Sequence, residues 1–289
     1  MYSGFVSHKR VLKSIGIHQR FDMSAYRAIK PFIEAGDFPP MSQILEFEGL
    51  GGPDGLKVKS PGEHEPSHLY DPASDTGEVP VHIENHYRQM VEALSRKDMI
   101  RAAFEAGWLA HYITDGLTPA HHFPLEDKMA ELDLDFADIN AKSGKQRMER
   151  ARTLPISSSI RKNWVLWGRK GLLSTHVNFE IGVATALLVF PIRIQLDDRQ
   201  LADARRRGAV EFFKEEARQI AKLKIYDKFY ADGWTAEIAN MIRREVAPRT
   251  AKVVACIWLL AYLDAQQLNL TGRKFKPDRF FDKASTGHN

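Results

Sequence analysis

Two adjoining stretches with a helical period constrain the fold of this chain more than any other feature. Over Asn85–Ala93 and its continuation, Tyr87, Met90, Val91 and Leu94 recur at helical spacing, and Lys97–Thr114 carries Met99, Ile100, Ala103, Phe104, Trp108, Leu109 and Tyr112 in the same phase. Further helices are expected over Ala25–Ile33, Ser174–Val189, Asp198–Lys224 and Thr235–Gln267, the last with a break near Pro248. Strand signals are nearly absent. The expected architecture is therefore all-α, a single-domain multi-helix bundle over residues 1–275, followed by a polar tail at 276–289 in which Phe280 and Phe281 are the apolar exceptions.

A chain of 289 residues with 44% hydrophobic content can bury a substantial core. Its single cysteine, Cys256, excludes an intramolecular disulfide and a thiolate zinc knuckle, so a metal site here has to be built from histidines and carboxylates. The formal charge of +4 favours anionic partners such as phosphate esters, nucleic acid or acidic lipid surfaces. The first twenty residues never assemble the apolar stretch of a signal peptide, which makes cytoplasmic residence the default expectation and leaves secretion to an incomplete or processed N-terminus. Gly182–Ile192 and Val253–Leu263 are too short to span a membrane and read as buried core helices. Arg205-Arg206-Arg207 reads as a solvated helix face.

Between Gly36 and Pro80 prolines and glycines interleave, and the same stretch holds Asp54, His64, His68 and Asp71. A connection of this length inside a bundle is best read as a ligand-bearing loop.

The chemistry concentrates in His111-Tyr-Ile-Thr-Asp115-Gly-Leu-Thr-Pro-Ala-His121-His122. His111 and Asp115 are four apart and share one helix face, while Gly116 and Pro119 end the helix and let His121 approach from another direction. His176 and Glu180 repeat the four-residue spacing on a second helix, where Val177, Ile181 and Ala184 mark a face expected to be buried. Paired inward His/carboxylate positions on neighbouring helices are how bundles hold metal, and imidazole with carboxylate suits zinc. Each pair alone is more often an ordinary helix-face pair. Together they point to a multi-zinc hydrolase.

The order and wording of these segments resemble bacterial zinc-dependent phospholipase C, whose superfamily includes the single-strand-specific zinc nucleases of fungi and plants. Pro66-Ser67-His68-Leu69-Tyr70-Asp71-Pro72 is similar to that family's ligand loop, and Lys97-Asp98-Met99 through His111-Tyr112-Ile113-Thr114-Asp115 to its central helix, so that the likeness spans Asp54 to Glu180. The resemblance implies one zinc on Asp54, His68 and His111, with Asp115 bridging to a second ion, and another zinc on His121, His176 and Glu180. His121 rather than His122 falls at the family's spacing, and Glu63 and Glu65 are the other carboxylates near Asp54 in the loop. A third zinc in that family uses an N-terminal tryptophan and a histidine. Here His18 resembles that histidine better than His8, but no tryptophan precedes Trp108, so a third site is expected to be modified, weaker or absent.

Clustered zinc ions activate a bridging hydroxide and stabilise the entering and leaving oxygens of an in-line displacement at phosphorus, with Asp54 or Asp115 as proton acceptor. The Glu180 ending and the lack of paired cysteines favour hydrolysis of phospholipid head groups, with contact to a membrane surface and no transmembrane segment. The alternatives are a single-strand nuclease or nucleotidase in which Trp108, Trp164 or Trp167 stacks a base, and a non-catalytic zinc-binding relative.

Overall fold

The structure is a computed structural model and describes residues 4–5, 14–48, 51–55, 68–122 and 171–271. Trp164, Trp167, His8, His64, Glu63, Glu65 and the polar tail lie outside the described residues. Those described form an all-α bundle, as expected. Its extended pieces are two-residue antiparallel ladders, one pairing Gly4–Phe5 with Ser14–Ile15 and one pairing Tyr70–Asp71 with Thr76–Gly77.

Helix α1 runs Ile17–Ile29, earlier than the expected Ala25–Ile33, and passes into a 3-10 turn at Lys30–Phe32 where Pro31 ends the α-helical pattern. Its start is fixed by the side chain of Gln19, which accepts from the Gly16 N–H at 2.9 Å. Ile17, Phe21, Ala25 and Ile29 bury one stripe, and His18 and Asp22 are buried beside it one turn apart. A short helix, α2, covers Met41–Glu46 within the proline-rich stretch.

Helices α3 (Val79–Ser95) and α4 (Met99–Gly116) form the expected antiparallel pair. Lys97 takes a left-handed conformation (φ 57°) that tightens the turn, and Asp98 caps α4 by accepting from the Arg101 N–H at 3.0 Å. On the other side of the interruption, α5 spans Leu172–Leu188. Among its described side chains the buried apolar ones are Phe179, Val183, Ala186 and Leu187, whereas Val177 is 43% and Ile181 57% exposed. Of the neighbours expected to mark a buried face, Val177 and Ile181 are thus turned outward, while Ala184 is half-buried against the core. The residues that decide the phase are Phe179 and Val183, and Phe179 packs against Tyr226, Phe229 and Trp234. Leu188, Val189 and Phe190 are exposed as well, so the apolar run Gly182–Ile192 is only partly core.

The expected long helix Asp198–Lys224 is two helices, α6 (Asp198–Arg207) and α7 (Ala209–Ala221), because Gly208 sits at φ 80°, which no helix accommodates. Arg205, Arg206 and Arg207 are exposed on α6, and Arg206 and Arg207 pair with Asp203 of the same helix. Helix α8 (Ile225–Asp232) and α9 (Ala236–Met241) follow.

The chain does not break at Pro248. A π-helical turn at Ile242–Val246 joins α9 to the long helix α10 (Ala247–Thr271), and the wider turn gives room before a residue that lacks an N–H and crowds the preceding carbonyls. By length and composition this run is apolar enough to cross a membrane, but 78% of its apolar window is buried inside the bundle. Val253–Leu260 lies at the centre of the core against α1, α3 and α4, and the Trp258 indole donates to the Ala106 carbonyl of α4 at 3.1 Å. Helix α10 is the axle on which two of the site-bearing helices, α1 and α4, are mounted.

Candidate metal centre

Four parts of the chain meet at the C-terminal half of α4. That helix projects His111 and Asp115 into the interior, 0% and 1% exposed. Helix α1 brings His18. The loop after α2 folds back so closely that a Cβ on Gly51 would stand 2.2 Å from the Glu46 carbonyl oxygen and one on Gly52 2.9 Å from that of Phe47. Only glycine permits this approach, and it delivers Glu48 and Asp54 to the site together. His68 arrives at the start of the Tyr70–Asp71 ladder.

The carboxylate of Asp115 is the hub. Its Oδ2 lies 2.6 Å from His68 Nδ1 and 3.3 Å from His111 Nε2, and its Oδ1 lies 3.2 Å from His18 Nε2 and 3.9 Å from His121 Nε2. Burial alone would raise its pKa, but the positive charge around it, the imidazoles of His121, His111 and His18 included, outweighs that and holds it well below the usual carboxylate range. For His111, burial works against the proton, yet Glu48, Asp115 and Asp54 raise its pKa well above that of an ordinary histidine. A ring and carboxylates arranged this closely, in a dry pocket, stabilise positive charge at their centre.

Asp54, His68 and His111 offer three ligand atoms within 4.8 Å of one another. Asp54 keeps 31% side-chain exposure and so forms the outer wall of this group. A second group consists of His121, His176 and Glu180. The 3-10 turn Pro119–His122 aims His121 inward: its Nδ1–H donates to the His68 carbonyl at 2.9 Å, which leaves Nε2 as the free-electron-pair nitrogen, 3.2 Å from Glu180 Oε1. His176 Nε2 is 3.1 Å from the same oxygen. Burial would raise the Glu180 pKa, but the positive charge around it, with the imidazoles of His121 and His176 facing it, outweighs that and holds it well below the usual value. His122 turns away and donates from Nε2 to the Gly116 carbonyl at 2.8 Å.

The residues carried over from the resemblance therefore converge, His18 included. Two buried acids that sequence reasoning did not single out join them. Glu48 Oε1 accepts from His111 Nδ1–H at 2.8 Å and lies 3.4 Å from His18 Nδ1. Asp22, one turn after His18, has no hydrogen-bond partner on either oxygen, and burial together with the charge of Glu48 pushes its pKa well up. The signal for Glu48 was its place in Glu48-Gly-Leu-Gly-Gly-Pro-Asp54, the same glycine-rich turn that supplies Asp54.

Beside this cluster Tyr112 stacks on His82 (4.4 Å, 13°) and His86 (5.5 Å, 15°), and Trp108 stacks on Phe104 (4.9 Å, 29°). The indole of Trp108 is thus a packing element between α3 and α4.

Among solved structures, the chain is similar to the alpha toxin from Clostridium absonum, with a TM-score of 0.53 and 14% identity over 93% of this chain and 68% of that one. The two chains share a fold. No protein-family model matches the sequence, and no curated protein matches it. At this identity the shared architecture is the finding, and the chemistry of the site rests on its own residues. Those residues fit a divalent metal ion: nitrogen and carboxylate donors only, in three groups of three ligand atoms, His18-Glu48-His111, Asp54-His68-His111 and His121-His176-Glu180, with the Asp115 carboxylate between the last two.

Proposed function

We propose that this protein is a zinc-dependent hydrolase of phosphate esters, acting on phospholipid head groups in the manner of phospholipase C. The observation that carries this reading is the pair of ligand groups, Asp54-His68-His111 and His121-His176-Glu180, joined through the two oxygens of Asp115. Zinc ions held there would supply Lewis acidity toward phosphate oxygens and an activated water at neutral pH.

The chain's own groups divide the remaining work. Asp115 is enclosed and shared among four imidazoles, so its role is to hold the two groups at a fixed separation. Asp54 is the acid with an open edge, and burial, opposed by the charge of His111, leaves its pKa below the ordinary value, which keeps it ionised as an acceptor of the proton released in the reaction. Glu180 and His176 close the opposite side, with 22% and 19% side-chain exposure through which a phosphate group can be reached.

A lipid substrate is favoured by α5. The helix that brings His176 and Glu180 to the centre presents Val177, Ile181 and Leu188 to solvent, continued by Val189 and Phe190. Apolar side chains exposed next to a head-group site suit a contact with the membrane surface. The nuclease alternative would draw on an aromatic platform, and Trp108 spends its ring on Phe104 and His86. The test is a side-by-side assay of a choline phospholipid, single-stranded DNA and a soluble phosphodiester, with and without chelator, after zinc analysis of the protein. Chelator-sensitive lipid cleavage supports the proposal. A zinc-replete protein inert toward all three points to the non-catalytic relative, and preference for DNA to the nuclease.

A further inference from the structure

His18 and His111 lie side by side with ring centroids 4.4 Å apart and planes 31° from parallel. Both present Nε2 to Asp115, one to each carboxylate oxygen, at 3.2 and 3.3 Å. Both present Nδ1 to Glu48 Oε1, at 3.4 and 2.8 Å. Two carboxylates thus flank the same two imidazoles from opposite edges, and of the two rings only His111 hydrogen-bonds to Glu48, since neither nitrogen of His18 has a hydrogen-bond partner among the described residues. Glu48 is 1% exposed, and Gly107 of α4 lets the end of α2 come this close, since a Cβ there would stand 3.1 Å from the Ile44 and 3.3 Å from the Phe47 carbonyl oxygen.

His18, Glu48 and His111 are close enough to hold an ion of their own. The ring of His111 argues against that use. A neutral imidazole has one lone-pair nitrogen, and Nε2 of His111 already faces Asp54, His68 and Asp115. Its Nδ1 must then carry the hydrogen, and a carboxylate at 2.8 Å is the acceptor that fixes it there.

Resting on the zinc reading above, we infer that Glu48 is a positioning residue: a buried carboxylate that fixes the tautomer of His111 and so sets how strongly the Nε2 of that ring holds metal beside Asp54, His68 and Asp115. Outer-shell carboxylates of this kind raise the basicity of the ligating nitrogen, and their loss costs about 10–100-fold in metal affinity.

The experiment compares zinc stoichiometry at saturation, zinc affinity against a chromophoric chelator, and long-range ¹H–¹⁵N spectra of the imidazoles in wild type, Glu48→Ala and Glu48→Gln. Expected for Glu48→Ala is the wild-type number of zinc ions at saturation with affinity lowered about 10–100-fold. Glu48→Gln, which keeps an acceptor oxygen but no charge, should fall between. The wild-type spectra should show Nδ1–H on His111. Loss of a whole zinc equivalent in both variants at excess zinc would make Glu48 a ligand and overturn the inference, as would unchanged affinity and tautomers. Should Glu48→Ala fail to fold by circular dichroism, the glutamine variant decides alone. A wild-type protein that takes up no zinc would instead sink the reading of the site as a metal centre, and this inference with it.

Discussion

Replacing Asp115 by asparagine removes the one charge that faces four imidazoles at once. Zinc content and turnover should fall together, turnover by about a hundred-fold or more, since even outer-shell partners reach that order; a zinc-replete Asp115→Asn with full activity would refute its bridging role. The neighbouring histidines give a sharper contrast. His121→Ala should lose the zinc shared with His176 and Glu180, whereas His122→Ala should keep it, because His122 spends Nε2 on the Gly116 carbonyl. A pH effect belongs to His82, whose pKa is lowered by burial and by the charge of His86. An unfolded histidine takes up its proton near pH 6.5, and the folded one only at lower pH, so the stability His82 contributes is fully present above about 6.5 and lost as the pH falls toward its folded value. Urea unfolding of wild type and His82→Gln across pH 5–8 should show equal slopes against pH above neutrality and a steeper loss in the wild type below it.

Among the elements, α5 carries the most testable geometry. A Cβ on Gly182 would stand 2.3 Å from the Trp234 ring, which is itself packed on Phe179 and Phe229, so Gly182→Ala should cost about 1–3 kcal/mol through displacement of the helix and weaken zinc binding at His176 and Glu180. Ile181, 57% exposed, should behave oppositely: Ile181→Asp should leave stability within about 0.5 kcal/mol and lower hydrolysis of vesicle phospholipid while sparing a soluble phosphodiester. Equal loss on both substrates would count against a membrane-facing α5. The elements also show where sequence reading works. The α3–α4 pair was legible because its apolar period is long and uninterrupted. The phase of α5 was not, since Val177, Ile181, Phe179 and Val183 are all apolar, and only distant Trp234 and Phe229 decide which pair is inside. The break at Gly208 carried a signal, a glycine after three arginines, that a run of helix-forming neighbours obscured. The seven ligand positions from Asp54 to Glu180 lie on local spacings or motifs, but Glu48 meets His111 across sixty-three positions of sequence, a pairing no local pattern announces.

For the whole molecule, the centre ties α1, the loop after α2, α4, the Pro119–His122 turn and α5 into one unit. Metal that binds only the folded arrangement stabilises it by mass action, about 2.7 kcal/mol for one site at a hundred-fold excess over Kd. Chelation should therefore lower the thermal midpoint by several degrees and let α1 and α5 exchange amide hydrogens sooner than α10, whose core contacts do not depend on the ions. A midpoint indifferent to chelator would show that the apoprotein is already held by its hydrogen bonds.

The π-helical turn at Ile242–Val246 has a consequence for how this gene can vary. Such a turn lodges one residue more than an α-helix uses over the same span, so taking one out lets it close as ordinary α-helix with the flanking arms still in phase, whereas one residue lost from a plain α-helix rotates what lies beyond it by about 100°. On its N-terminal side the arm is only the six residues of α9, while α10 is pinned along most of its length. A single-codon deletion inside 242–246 would thus leave Ile238 and Ala239 in phase with the core, whereas the same deletion near Val254 would re-phase half the core. In a library of codon deletions, the turn should stand out as a tolerant notch in an otherwise intolerant helix.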